Sequence, residues 1–283
     1  MKIRLGIPKG RLFEKVKKVL DDAGINIGFN GRNYRPLVRD SEIEVKLFKA
    51  QNIPKLVELG LLDAGFTGYD WVVEQNSKVV ELLDLGFGKV DLVVAIPEQA
   101  DWNELKKKKI VVVSEFENLA KKFLEQQKVD FVFMKSFGAT EVFPPEDADL
   151  IVDLTETGQT LKENNLKIVE VLLSSSARLV ANKNSLQDSF KNAKLQEIKL
   201  LIQSVLNAKE RVLLEMNVPK NKFQDVVPFL PCMKSPTVSE LFGDQGYVVK
   251  IAVKKSETAK LIPLLKSKGV TDILEFNLAK VVP

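Results

Sequence analysis

Residues 149–161 read Asp-Leu-Ile-Val-Asp-Leu-Thr-Glu-Thr-Gly-Gln-Thr-Leu. An apolar run closes on an acid, then turns through hydroxyl side chains into a polar stretch. Leu150 to Leu154 has the length and composition of a buried strand, and the turn at Gly158 leads into a helix-forming segment. A strand that runs directly into a helix is the building unit of α/β folds.

The same alternation extends in both directions. Upstream, Ile3 to Ile7 reads as a strand and Arg11 to Ala23 as a helix with Leu12, Val16, Val19 and Leu20 on one face. Strands are expected at Ile43 to Phe48, Asp63 to Thr67, Leu92 to Ile96, Ile110 to Val113 and Phe131 to Met134, with helices at Ile53 to Leu59 and Leu119 to Gln127 between them. This order predicts an α/β arrangement with largely parallel sheets. Two glycines in Asp84-Leu-Gly-Phe-Gly-Lys89 mark a crossing between two lobes. Ser185 to Arg211 carries apolar residues at helical spacing and reads as one long helix.

After Arg211 the rhythm changes. Strands at Val212 to Met216, Val238 to Phe242, Tyr247 to Val253 and Asp272 to Val281 alternate with helices at Phe223 to Leu230 and Ala259 to Lys268. This βαββαβ order is that of a ferredoxin-like unit. The expected organisation is a first catalytic lobe from residues 1–90 with 182–211, a second lobe over 91–181, and a C-terminal domain over 212–283.

Composition narrows the function classes. The 283 residues are 45% hydrophobic and 28% charged, as in ordinary globular proteins. A net charge of +4 is too small to imply nucleic-acid or membrane binding, though it suits anionic small molecules. The run Lys106 to Lys109 reads as a solvated turn. Cys232 stands alone, so no internal disulfide or cysteine metal cluster is possible. The first residues read as a strand rather than a signal peptide, no stretch is long and apolar enough to span a bilayer, and a cytoplasmic location is expected. The chain contains no histidine, which excludes serine–histidine and cysteine–histidine pairs and histidine-bound zinc within the chain. Any catalysis rests on carboxylates, lysine, hydroxyls, backbone amides or an oxygen-bound metal.

Three segments carry chemistry. In residues 153–160, the amides of a strand-to-helix turn suit a phosphate dianion. Thr155, Thr157 and Thr160 add hydroxyl donors, and Gly158 lets the backbone approach closely. Asp153 and Glu156 would repel phosphate and suit neighbouring sugar hydroxyls instead. A phosphate cradle beside sugar-binding carboxylates describes a ribose 5-phosphate site. A capped helix start with Thr157 as N-cap fits the same spacing, which leaves both readings open. In Ile7-Pro-Lys-Gly-Arg-Leu12, Lys9, Gly10 and Arg11 sit after a strand, where ligands of open α/β sheets bind. In Asp63-Ala-Gly-Phe-Thr-Gly-Tyr-Asp70, Asp70 follows a glycine-bracketed turn.

These segments, in this order, resemble the ATP phosphoribosyltransferase family in its long form. The resemblance also covers Gly138-Ala-Thr-Glu141, Ser175-Ser-Ala-Arg-Leu179, Asn207-Ala-Lys-Glu-Arg211, Asn217-Val-Pro219 and Lys234-Ser-Pro-Thr237. It departs at Pro144-Pro-Glu-Asp147, where the family carries a glycine, and at Lys49 and Asn52, where arginine and aspartate are common. A lysine cannot make arginine's bidentate contact.

The resemblance implies a two-lobed, periplasmic-binding-protein-like core with a C-terminal, ACT-like regulatory domain. It implies transfer of phosphoribosyl from phosphoribosyl pyrophosphate to N1 of ATP, with Mg2+ carried mainly by substrate phosphates, and feedback inhibition by histidine. Asp153, Leu154, Thr155, Glu156, Thr157, Gly158, Gln159 and Thr160 would hold the donor. Lys9, Gly10, Arg11 and Asp70 would lie near ATP or pyrophosphate, and Asn217 and Thr237 near histidine. Homo-oligomers, dimers and hexamers, are implied as well. A non-catalytic two-lobed binding module and a phosphoribosyltransferase with another acceptor base share parts of the pattern.

Overall fold

The computed structural model describes residues 1–28, 33–243 and 245–283. Residues 1–18 and 26–196 form one compact unit, residues 19–25 and 197–283 a second. The chain opens with β1 (Ile3–Lys9), α1 (Phe13–Ala23), the short pair β2 (Ile27–Gly28) and β3 (Leu37–Val38), β4 (Ile43–Lys49), α2 (Ile53–Glu58), β5 (Ala64–Gly68), α3 (Tyr69–Glu74) and β6 (Val80–Asp84). It continues through β7 (Val90–Pro97), α4 (Trp102–Leu105), β8 (Ile110–Ser114), α5 (Glu117–Gln126), β9 (Phe131–Lys135), β10 (Leu150–Thr155), α6 (Gln159–Glu163), β11 (Leu166–Ser175) and β12 (Ala177–Ala181), then α7 (Ser189–Lys209).

These strands make two five-stranded sheets, ordered β4-β1-β5-β12-β6 and β11-β7-β10-β8-β9. Each sheet is largely parallel, with four strands running one way and a single strand running against them. In the first, β4, β1 and β5 are parallel while β12 runs antiparallel to β5 and β6. In the second, β10, β8, β9 and β11 run the same way while β7 runs antiparallel to its neighbours β10 and β11. The antiparallel strands flank the two places where the chain crosses between sheets, after β6 and after β11. The return falls earlier than the sequence implies, because residues 177–181, expected in the second lobe, pair with β5 and β6 in the first sheet.

Burial explains why these segments are strands. Ile3, Leu5 and Ile7 are fully buried, as are Leu92, Val94, Ile96, Ile110, Val112, Leu150 and Val152. Each such side chain contributes roughly 1.5–3 kcal/mol relative to exposure. The second-lobe residues among them form one core with Phe116, Ala120 and Leu124 of the α5 segment.

The second unit carries β13 (Arg211–Pro219), α8 (Phe223–Val226), β14 (Thr237–Glu240), β15 (Gly246–Lys254), α9 (Lys255–Ser267) and β16 (Thr271–Asn277). Its sheet order is β14-β15-β13-β16, wholly antiparallel. Numbered within the unit, this is the 2-3-1-4 order of a ferredoxin-like fold. Val212, Leu214, Met216 and Val218 pack beneath Val226, Leu261 and Leu265. The unit also takes in residues 197–209 of α7, which the sequence groups with the first lobe. Val281 N–H donates to Ser204 O at 2.9 Å, and Asn207 Nδ2 to Val281 O at 3.2 Å, so the chain end is tied to that half of the helix. No helix among the described residues is long and apolar enough to cross a membrane.

One polar knot secures the base of the first sheet. The fully buried Asp63 carboxylate accepts from Arg4 Nε at 3.0 Å, Ser185 Oγ at 2.8 Å and Lys191 Nζ at 2.8 Å. Burial alone would raise this carboxyl, but hydrogen bonds from Arg4 and Lys191 outweigh it and hold it well below the ordinary 3.8. Its stabilisation is therefore complete above that ordinary value and is lost as pH falls towards the folded-state value. Asp63→Asn leaves two cations short of a partner. Urea denaturation at pH 7 should show a loss of about 2–4 kcal/mol, narrowing as the pH is lowered below 4.

Candidate functional site

Each crossing-side edge of the two sheets delivers polar residues to a cleft within the first unit. The cleft encloses about 850 Å³ and is lined from the first lobe by Lys9, Gly10, Arg11, Tyr34, Lys49 and Asp70, and from the second by Glu115 and Leu154. Lys9 and Lys49 end neighbouring parallel strands in direct register. Two lysines therefore leave adjacent backbone positions at the carboxyl edge of the sheet, a placement that suits an anion. Gly10 turns the chain at φ 85°, and Arg11 Nη1 donates to Gly88 O, in the crossing segment, at 3.2 Å. Lys9 Nζ lies 4.0 Å from the Tyr34 ring centroid, a cation–π contact that gives the lysine a fixed position.

Asp70 is buried in the first turn of α3. Its Oδ1 accepts from Ser175 Oγ at 2.5 Å, while its own N–H donates to that hydroxyl at 3.0 Å. A methyl group at Gly68 would stand 2.0 Å from Asp70 Oδ1, so the glycine is what lets the carboxylate fold back there. Burial pushes the Asp70 carboxyl up, against the Ser175 hydrogen bond and the positive charge of Arg11.

The same short helix makes two more contacts with the second lobe. Trp71 stacks on Phe116 with centroids 4.5 Å apart. Glu74 accepts from the backbone N–H groups of Asn118 at 2.9 Å and Leu119 at 3.0 Å, capping the start of α5.

The donor-loop candidates surround an adjoining cavity of about 320 Å³, lined by Glu141 and by Asp153, Leu154, Thr155, Glu156, Thr157, Gln159 and Thr160. Leu154 borders both this cavity and the main cleft, which makes them neighbours. Gly158 is the turn itself, at φ 76°. Thr140 Oγ1 donates to Asp153 Oδ2, and Leu154 N–H to Asp153 Oδ1 at 2.6 Å. Burial raises the Asp153 carboxyl, the Thr140 hydrogen bond opposes this, and Glu141 adds to the rise.

Inside the loop, Gly158 N–H donates to Thr155 Oγ1 at 2.8 Å and Gln159 N–H to Thr157 Oγ1 at 3.3 Å. The helix that follows has only five residues and no side-chain cap, since Gly158 occupies the cap position. Thr157 as N-cap is therefore not what forms. Among the described residues the amides of Glu156 and Thr157 have no hydrogen-bond partner, which leaves them to an incoming anion.

Asn217 and Thr237 lie in the second unit. Asn217 Nδ2 donates to Asp272 Oδ2 at 2.8 Å, and Thr237 is exposed opposite Lys250. Asn217 alternates with the buried residues of β13, and Thr237 reaches that same sheet face through the Lys250–Glu215 pair. Both stand on the sheet face away from the buried core.

Sequence reasoning missed Glu115, Ser175, Trp71 and Glu74. Glu115 had a usable signal, being an acid directly after an apolar strand, as Asp153 is. The partnerships of Glu74 and Ser175 join residues 44 and 105 positions apart and left no local mark.

Comparison with known proteins bears on this arrangement. Residues 49–205 match the family described as "HisG: ATP phosphoribosyltransferase", and residues 208–280 match "HisG, C-terminal domain". The ATP phosphoribosyltransferase of Thermodesulfovibrio yellowstonii is 40% identical over 99% of this chain and 98% of its own length. That of Desulforudis audaxviator is 41% identical over the full length of both. Among solved structures, an ATP phosphoribosyl transferase (HisG:HisZ) complex from Thermotoga maritima superposes with a TM-score of 0.63 at 26% identity, over 71% of this chain and 98% of that one.

The Glu74 cap generates a direct prediction. Glu74→Ala strips the partner from two amides at the head of α5, and denaturant titration should show a loss of about 1–2 kcal/mol.

Proposed function

The chain belongs to the ATP phosphoribosyltransferase family, and from that premise we propose how its cleft and loop divide the two substrates. Enzymes of this family join N1 of the adenine of ATP to C1 of 5-phosphoribosyl 1-pyrophosphate and release pyrophosphate, the first step of histidine biosynthesis, and this chain is such a transferase.

The observation that carries the division is the contiguity of an anion-ready loop and a cleft rimmed by Lys9, Lys49 and Arg11. The donor's 5-phosphate sits on the free amides of Glu156 and Thr157 with the threonine hydroxyls. Asp153 and Glu156 accept hydrogen bonds from the ribose hydroxyls. The polyphosphate of ATP or the departing pyrophosphate lies against Lys9, Lys49 and Arg11. Asp70 acts on the cleft wall, held by Ser175 and facing Arg11.

Adenine N1 already carries a lone pair, so no base is needed to make the nucleophile. That lone pair forms the bond to C1 while the C1–O bond breaks and its electrons leave on pyrophosphate. Aligning two bound substrates supplies about 7–11 kcal/mol of barrier reduction, more than the roughly 3–5 kcal/mol of a typical acid–base group. A chain without histidine therefore lacks nothing the reaction requires.

The family uses a metal ion, and we assign it as Mg2+. Among the described residues no three acidic side chains stand close enough together to hold a metal ion, which suits an Mg2+ bound chiefly by substrate phosphates and water. Bound there, the ion would neutralise charge on the leaving pyrophosphate. We further assign the second unit to histidine-dependent regulation through Asn217 and Thr237, the active form to a homo-oligomer, and the enzyme to the cytoplasm.

Incubation with Mg2+, phosphoribosyl pyrophosphate and ATP should release pyrophosphate with the absorbance change of an N1-substituted adenine. Asp153→Asn and Thr157→Ala should each weaken donor binding by about tenfold or more. Donor affinity and turnover near wild type in both would place the donor elsewhere. Because burial raises Asp153, kcat/KM for the donor should fall on acidification at a pH above the ordinary aspartate value of 3.8. Free histidine should inhibit without competing with ATP, and Asn217→Ala or Thr237→Ala should raise the concentration required. Unchanged sensitivity in both would remove these residues from the effector site.

A further inference from the structure

We propose that Glu115 accepts a hydrogen bond from the exocyclic amino group of the acceptor base and thereby selects adenine, a role that rests on the main cleft being the acceptor site. The starting observation is a comparison among acids. Asp63, Asp70, Glu74, Asp149 and Asp153, the other acids of this unit on which burial acts most strongly, all receive hydrogen bonds from the protein. Glu115 is half-buried in the wall of the main cleft, yet among the described residues no hydrogen bond or ion pair reaches its carboxylate. Burial and the negative charge of Asp153 both act against its ionisation, with Lys49 and Lys135 opposing them. An acceptor kept short of water and of protein donors is suited to a donor that arrives with the ligand.

Its position is fixed from both sides. Ser114 Oγ donates to Val152 O at 2.6 Å and accepts from Phe116 N–H at 2.8 Å. Phe116 is fully packed and stacked on Trp71. Glu115 therefore projects from a locked turn at the carboxyl end of β8, and its cleft also contains Leu154 of the donor loop and Lys49 of the cationic rim. A base placed here lies between the ribose donor and the lysines that would take its phosphates.

The chemistry of the transfer favours a carboxylate at this point. As the N1 lone pair forms the bond to C1 and the electrons of the C1–O bond leave with pyrophosphate, the adenine ring acquires positive charge. That charge is shared between N1 and the adjacent amino nitrogen, whose N–H becomes a stronger donor. The proton stays on nitrogen throughout this step. A carboxylate bonded to that N–H binds the charged ring more tightly than the neutral one, which lowers the barrier rather than only the KM. A base with a carbonyl at the same carbon would present oxygen to oxygen and be repelled.

The test is a substrate–variant cycle. ATP and purine riboside triphosphate, which keeps the N1 lone pair and lacks the amino group, are each assayed with wild type, Glu115→Gln and Glu115→Ala. Wild type should use the purine analogue about 10- to 100-fold less well than ATP. Glu115→Ala should lower kcat/KM for ATP by a similar factor while leaving the analogue within about twofold. Inosine triphosphate, with a carbonyl in place of the amino group, should inhibit Glu115→Gln more strongly than wild type. Equal losses with ATP and the analogue, or no loss with either, would overturn the assignment. Donor binding, titrated separately, should be unchanged in both Glu115 variants, which also reports that they fold. Failure of the donor-loop reading would appear independently, as intact donor binding in Asp153→Asn and Thr157→Ala.

Discussion

A six-residue helix carries the junction between the two α/β lobes. From α3, Asp70 reaches Ser175 at the end of the returning strand, Trp71 stacks on Phe116, and Glu74 caps the helix that follows. One contact is a buried hydrogen bond, one a ring stack and one a helix cap, so the lobes are held by three different kinds of force within two helical turns. The cleft depends on this junction, because its first-lobe lysines and its second-lobe Glu115 and Leu154 belong to different sheets. A hinge that moved the lobes apart at α3 would have to break all three contacts. Any closure on substrate is more easily accommodated at the crossing segment, where Arg11 holds Gly88 by a single hydrogen bond.

Much of the fold was legible because the strands are buried and the turns are punctuated. Leu150–Thr155 followed by Gly158 could be read directly, as could the βαββαβ order of the tail. Strands β6, β11 and β12 were not anticipated. In β11 the pairing with β7 shifts register twice, which breaks the two-residue alternation that identifies a strand. β12 spans five residues and its antiparallel placement depends on where the chain re-enters the first sheet, a choice no local pattern encodes.

The site divided in the same way. Lys9, Gly10, Arg11 and Asp70 converge on one cleft, and residues 153–160 surround its neighbour. These were visible because each follows a strand, where open sheets place ligands. The threonines behaved differently from expectation. Within the loop Thr155 and Thr157 accept hydrogen bonds from the loop's own amides. Sequence indicated which groups are present but not that they satisfy one another before a phosphate arrives.

The register of Lys9 against Lys49 has a thermodynamic meaning of its own. Neighbouring parallel strands stand about 4.8 Å apart, so two like charges leave adjacent backbone positions, and mobile counter-ions join the Tyr34 ring and Glu115 in offsetting them. A polyphosphate that settles between them displaces those ions into bulk solvent. Part of its affinity is therefore the entropy of released salt, and the cleft's hold on a nucleotide is coupled to the ionic strength of its surroundings.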